Sequence, residues 1–141
     1  MRVEKIDHIH VFVNDLDRAM RFFTDLLGKE FAPIWEGADF GVRTAYNRLG
    51  FDFIQPTDRS GPAAKTIKLQ EEGICCVSLK VPNIEEAIAE LESRVVKMIH
   101  RVEVGQLKEA WFEATNTFGV QIELCEYPGD DIVAASAGMQ Q

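Results

Sequence analysis

The sequence predicts an α+β fold made of two tandem βαβββ modules, and three observations carry that reading. The order strand, helix, strand, strand, strand, read from apolar periods of 2 and 3.6, runs through the chain twice. The stretch His8-Ile-His-Val-Phe-Val-Asn-Asp-Leu aligns with Cys76-Val-Ser-Leu-Lys-Val-Pro-Asn-Ile, with apolar and turn positions coinciding. Phe51-Asp-Phe-Ile-Gln-Pro, closing the first half, likewise answers Ile122-Glu-Leu-Cys-Glu-Tyr, closing the second. A repeat of this length means two modules that bury a joint core, because neither half covers its sheet alone. The expected division is a first module over 1–56, a linker with a short helix over 57–73, a second module over 74–127 and a flexible tail over 128–141.

Each element has a local reason. Alternation over 5–13 predicts a strand with Ile6, His8, His10 and Phe12 on one face and Asp7, Ile9, Val11 and Val13 on the other. Asp15 is placed to cap a helix striped by Leu16, Ala19, Met20, Phe23, Leu26 and Leu27, and Gly28 to stop it. Strands are predicted over 30–35, 42–49 and 51–55, the last two separated by Gly50. The linker turns to Thr, Asp, Ser, Gly, Pro and Lys, with Pro62 able to start a short helix through Lys68. The pattern then returns as a strand over 74–81, with Ile74, Cys76, Ser78 and Lys80 on one face. A helix follows, with a capping box of Asn83 and Glu86 and a stripe of Ile84, Ala87, Ile88 and Leu91. Three more strands are predicted over 97–102, 108–114 and 120–125.

Composition narrows the function classes. The length of 141 residues fits one domain, or two small halves sharing a core. A net charge of -8 argues against a nucleic-acid surface, which needs basic residues. Three cysteines, Cys75, Cys76 and Cys125, form no even disulfide framework and suit a reducing cytoplasm. The first residues have no apolar signal core and no stretch approaches membrane-spanning length, so a soluble cytoplasmic protein with no membrane partner is expected.

The chemistry-bearing residues sit on the strands. Glu123 falls mid-strand between apolar neighbours, either on a solvated outer face or pointing into a lined cavity. His8 and His10 share a face, so His10 either lines the same cavity as His8 or is a packed strand histidine. Cys125 shares the Glu123 face and reads as a small packing residue, and His100 has no partner in the sequence. Lys80 and Arg43 are either solvated charges or rim groups for an anionic substrate.

Paired modules of this kind resemble the vicinal oxygen chelate superfamily of glyoxalases, epimerases, extradiol dioxygenases and metal-free bleomycin-resistance proteins. The resemblance is nearest to its methylmalonyl-CoA epimerase branch. It is carried by Ile6-Asp-His-Ile, by the stretch from Gly41 through Val-Arg-Thr-Ala-Tyr-Asn-Arg-Leu to Gly50, by Gly73-Ile-Cys-Cys-Val-Ser-Leu-Lys-Val, and by Val120-Gln-Ile-Glu-Leu-Cys-Glu-Tyr-Pro. It implies a curved, barrel-like mixed sheet with a concave central cavity and helices outside. It also implies a divalent metal such as Co, Ni, Mn or Zn held by His8, Asp52, Cys76 and Glu123, and a homodimer acting on a small-molecule substrate. Cys76 departs from the pattern, which has histidine there. It is either a softer thiolate ligand or a small buried residue in a site where the metal is lost or weakly held.

The implied chemistry is an isomerase or lyase reaction on an acyl thioester or α-oxo compound, through an enolate or enediolate. Glu123 is its base, and Asp39, or alternatively Glu36, serves the opposite face. His10, Phe12, Lys80 and Trp111 are the implied substrate-pocket residues. The alternative is a metal-free protein that binds a small molecule in a cavity lined by Phe12, Phe51 and Trp111. An iron dioxygenase would need His10 or Cys76 to supply a second ligand beside His8.

Overall fold

The computed structural model describes residues 1–67 and 71–136. Its elements are β1 (Lys5–Phe12), α1 (Leu16–Leu27), β2 (Trp35–Gly37), β3 (Val42–Asn47), β4 (Phe51–Pro56), α2 (Pro62–Ile67), β5 (Gly73–Lys80), α3 (Ile84–Ser93), β6 (Met98–Val104), β7 (Leu107–Phe112), β8 (Ile122–Glu126) and α4 (Ile132–Ala135). Both βαβββ modules are present. By contacts the chain divides into one unit of His8–Cys75 and another of Met1–Asp7 with Cys76–Gln141. The first residues join the second of these through the Glu4 amide, which donates to the Lys80 carbonyl at 2.8 Å, and through Asp7, which accepts from the Tyr127 hydroxyl.

In the His8–Cys75 unit the strands run in the order β2-β3-β4-β1. β1 lies parallel to β4 with His10 opposite Asp52, and β3 lies antiparallel to β4 with Tyr46 opposite Asp52. Asp15 caps α1 by accepting from the Arg18 amide at 3.1 Å, and Gly28 ends it in the left-handed region at φ 66°, where a side chain would be strained. The apolar stripe of α1 packs on one face of this sheet, where Val13, Leu16, Ala45 and Phe53 are buried with Val11, Phe23, Phe31 and Phe51 around them. Phe23 meets Phe53 edge-on at 4.8 Å. Successive strand residues point to opposite faces, so His8, His10, Phe12 and Asp52 stand on the face away from the helix.

The second unit repeats this plan. Its order is β6-β7-β8-β5, with β5 parallel to β8 and Ser78 opposite Glu123. Antiparallel β7 sets Trp111 opposite Glu123. Asn83 caps α3 at the Glu86 amide, and Ile84, Ala87, Ile88 and Leu91 bury against Val81, Ala110, Phe112 and Leu124. Cys76, Ser78, Lys80, Glu123, Cys125, Glu109 and Trp111 therefore project from the opposite face. β1 and β5 have the same residue-by-residue burial pattern, as the internal repeat requires.

Three details differ from the expectation. Over 30–35 there is only an isolated bridge between Phe31 and Asn47, and pairing starts at Trp35. Pro33 has no amide hydrogen to give a ladder, while Phe31 and Ile34 pack against the core instead. β6 runs on to Val104, beyond the expected end at 102, so the β6–β7 hairpin turns on Gly105 and Gln106, with Gly105 at φ 58°. After Pro128, where the sequence shows no periodicity, α4 forms one turn capped by Asp131, with Ile132 and Ala135 buried. Four residues are too few to display a period. The expected end of the linker helix at Lys68, and the tail from 137 on, lie outside the described residues.

Candidate active site

In the His8–Cys75 unit three potential ligands meet. His8 and His10 are 2 % and 3 % exposed, and their Nε2 atoms are 3.1 Å apart. His10 Nδ1 lies 3.4 Å from Asp52 Oδ2, a consequence of the β1–β4 register. The Tyr46 ring meets His8 edge-on at 5.7 Å, placed by its position opposite Asp52 on β3. Ligand atoms of His8, His10 and Asp52 all lie within 4.8 Å of one another. Two imidazoles with a carboxylate beside one of them suit a first-row divalent cation rather than calcium or magnesium. The donor set therefore fits such an ion.

The second unit holds a buried carboxylate. Glu123 is 0 % exposed, which decides between its two sequence readings against the solvated face. The Ser78 hydroxyl donates to Glu123 Oε1 at 2.7 Å, on the register pair that corresponds to His10 and Asp52. A Glu109 oxygen lies within 4.8 Å of a Glu123 oxygen. Trp111 is buried opposite Glu123 on β7. Burial, then the negative charge of Glu123, push the Cys125 thiol far above its ordinary range, so Cys125 is a neutral packing group and not a nucleophile. Cys76 is buried and its thiol donates along its own strand to the Val77 carbonyl at 3.8 Å.

Other expected site residues are placed differently. Lys80 is buried. Its Nζ donates to the Gly129 carbonyl, sits 3.9 Å from the centre of the Tyr127 ring, and lies within 4.0 Å of Glu4 and Asp130 carboxylates. Asp39 is exposed on the turn after β2, and Glu36 is exposed and 3.4 Å from Arg43, which also meets Asp17 at 3.6 Å. Arg43 is thus a surface ion-pair residue. Phe12 lines a cavity of about 110 Å³ with Val13, Asn14, Gln55, Pro56 and Arg59. That volume is well below the ~300–1,000 Å³ of a typical small-molecule site. Phe51 points to the α1 side, so it shares no face with Phe12. His100 stands on β6 opposite Trp111, and partial burial lowers its pKa from the ordinary histidine value.

Sequence reasoning did not single out Ser78, Glu109 or Tyr46. The signal for Ser78 was in the repeat, which aligns it with His10. Tyr46 and Glu109 are placed by register, which no single strand reveals.

Comparison with known proteins gives a consistent picture. Residues 7–106 match the Glyoxalase/Bleomycin resistance protein/Dioxygenase superfamily. Human mitochondrial methylmalonyl-CoA epimerase is 24 % identical over 106 residues, covering 72 % of this chain and 60 % of that protein. The chain thus spans about three-fifths of the length of that curated relative. The structure of hypothetical protein BH1468 from Bacillus halodurans aligns with a TM-score of 0.77 at 26 % identity, covering 90 % of this chain and 96 % of that one. A variant of Streptomyces coelicolor methylmalonyl-CoA epimerase in complex with 2-nitronate-propionyl-CoA aligns with a TM-score of 0.78 at 19 % identity, covering 91 % of this chain and 100 % of that one. Among the described residues no helix is long and apolar enough to cross a membrane.

Proposed function

The chain belongs to the Glyoxalase/Bleomycin resistance protein/Dioxygenase superfamily, and from that premise we propose that it is a metal-dependent isomerase or lyase of the epimerase and glyoxalase type. Its substrate is an acyl thioester or an α-oxo compound that loses a proton next to a carbonyl. The observation that carries the reading is the convergence of His8, His10 and Asp52 on one point of the first unit's sheet. His8 and Asp52 stand where the resemblance expects ligands, and His10 stands between them.

A divalent cation held there supplies a Lewis acid for the negative charge that develops on a substrate carbonyl oxygen. The proton is moved by the chain's own groups. Glu123 is the base: it is excluded from water and held by the Ser78 hydroxyl, so its carboxylate meets a carbon acid without first shedding a hydration shell. Glu109, close to Glu123, is placed to share its charge or proton. Trp111 restricts access on the Glu123 side. Asp39, exposed on the turn after β2, serves the opposite face of the substrate. A reducing cytoplasm fits three cysteines that form no disulfide.

Solvent-deuterium incorporation into methylmalonyl-CoA and into α-oxo thiol adducts tests this reading with cobalt-, nickel-, zinc- and manganese-loaded protein. Incorporation at the carbon next to the carbonyl, lost on chelation and slowed about 10²–10⁴-fold in Glu123→Gln, is expected. Asp39→Asn separates the two acids: it should block inversion while leaving exchange of one enantiomer. Metal-independent binding of these compounds without exchange would overturn the enzyme reading.

A further inference from the structure

The strand that carries His8 carries a second imidazole two residues on, and the geometry of this pair reaches beyond the ligand set the resemblance implies. The two Nε2 atoms are 3.1 Å apart. Nitrogens bonded to one divalent ion at about 2.0–2.1 Å lie roughly 2.8–3.4 Å apart when the bonds meet at about 90–110°. This contact is a buried hydrogen bond, and its length is also that between neighbouring ligands of a single ion, which would take the place of the shared proton in side-chain positions already fixed by burial.

Asp52 supports the same assignment. Its Oδ2 faces His10 Nδ1 at 3.4 Å. Asp52 thus stands as an ion-pair neighbour on the side of the ring away from Nε2, the place from which a carboxylate orients a ligating histidine. Cys76 offers the contrary picture. Its sulfur turns along its own strand, 3.8 Å from the Val77 carbonyl, and among the described residues no group of converging ligand atoms includes it.

We propose that His8 and His10 supply two imidazole nitrogens to one divalent cation, that Asp52 is the residue that orients His10, and that Cys76 is not a ligand. The assignment rests on the metal-dependent reading above and specifies which side chains realise it. Two imidazoles on neighbouring positions, with no thiolate, favour cobalt, nickel, zinc or ferrous iron over softer metals such as cuprous copper.

The test uses the full chain, purified without a metal-affinity tag, stripped with chelator and titrated calorimetrically with cobalt and zinc. X-ray absorption on the loaded parent should count two imidazoles per ion, and its cobalt spectrum should lack a thiolate charge-transfer band. Cys76→Ser should bind within about threefold of the parent. Asp52→Asn should weaken binding about 10–100-fold, and His10→Gln by at least as much. Parent-like affinity in His10→Gln, a count of one imidazole, or a thiolate band lost in Cys76→Ser would overturn this assignment and leave the metal-dependent reading standing. Failure of the parent to bind any of cobalt, nickel, zinc or manganese would overturn that reading itself, and the assignment with it. The imidazole count is made on the parent, so it does not depend on how any variant folds.

Discussion

The Ser78 hydroxyl donates to Glu123 at 2.7 Å, between register partners of two parallel strands, and the corresponding pair in the other unit, His10 and Asp52, lies at 3.4 Å. Each module thus places a polar group of its first strand beside the carboxylate of its last. A buried carboxylate that loses a charge-assisted partner keeps its desolvation cost, so Ser78→Ala should destabilise the fold by about 1.5–3 kcal/mol. That corresponds to a melting temperature lower by roughly 5–10 °C for a chain of this size. Ser78→Thr, which keeps the hydroxyl, should recover most of the loss, and thermal unfolding of the two variants checks both statements.

Lys80 is a fastener of the second unit. Its ammonium joins the Gly129 carbonyl and the Tyr127 ring, and its stem is buried beneath them. Lys80→Ala should lower stability by about 1–3 kcal/mol, through lost hydrogen bonding and packing. The affinity for an acyl-CoA ligand should stay unchanged. A rise in ligand dissociation constant without loss of stability would return Lys80 to the binding site.

The thiols should separate by reactivity. Cys76 and Cys125 are buried, and Cys125 is held in its protonated form by burial and by the charge of Glu123. Cys75 is only half-buried, its thiol donating to the His10 carbonyl at 3.4 Å. A disulfide reagent at mild alkaline pH should modify Cys75 alone in the native protein, and all three thiols in denaturant. Rapid native modification of Cys125, mapped by peptide mass, would contradict this environment.

His100 should give the stability an acid-side dependence. Burial lowers its pKa in the fold, so between that value and the unfolded value near 6.5 the unfolded chain binds more protons than the native one. The stability that the neutral ring supports is complete above about pH 6.5 and drains away as pH falls through the lower, native-state pKa. Denaturant midpoints measured from pH 7.5 down to pH 4.5 should fall less steeply in His100→Gln than in the parent.

Much of this molecule is written in local patterns. Alternation, helix caps and the aligned stretches at His8 and Cys76 are enough to specify two βαβββ modules, because strand and helix periods and cap chemistry are properties of neighbouring residues. The same alternation puts His8 and His10 on one face. What one strand does not contain is the partner of that face. Whether Glu123 is wet or buried depends on strands and side chains from distant parts of the sequence. The distance from His10 to Asp52 follows from a parallel register between β1 and β4, set by packing on α1. The burial of Lys80 depends on Tyr127 and Gly129, almost fifty residues away in sequence. The exposure of Asp39 is likewise set by how the turn after β2 is folded. The sequence by itself determined which residues face together along each strand. Only the tertiary structure decided which of those faces are buried and which side chains meet there, because burial and register arise from long-range packing that no local pattern encodes.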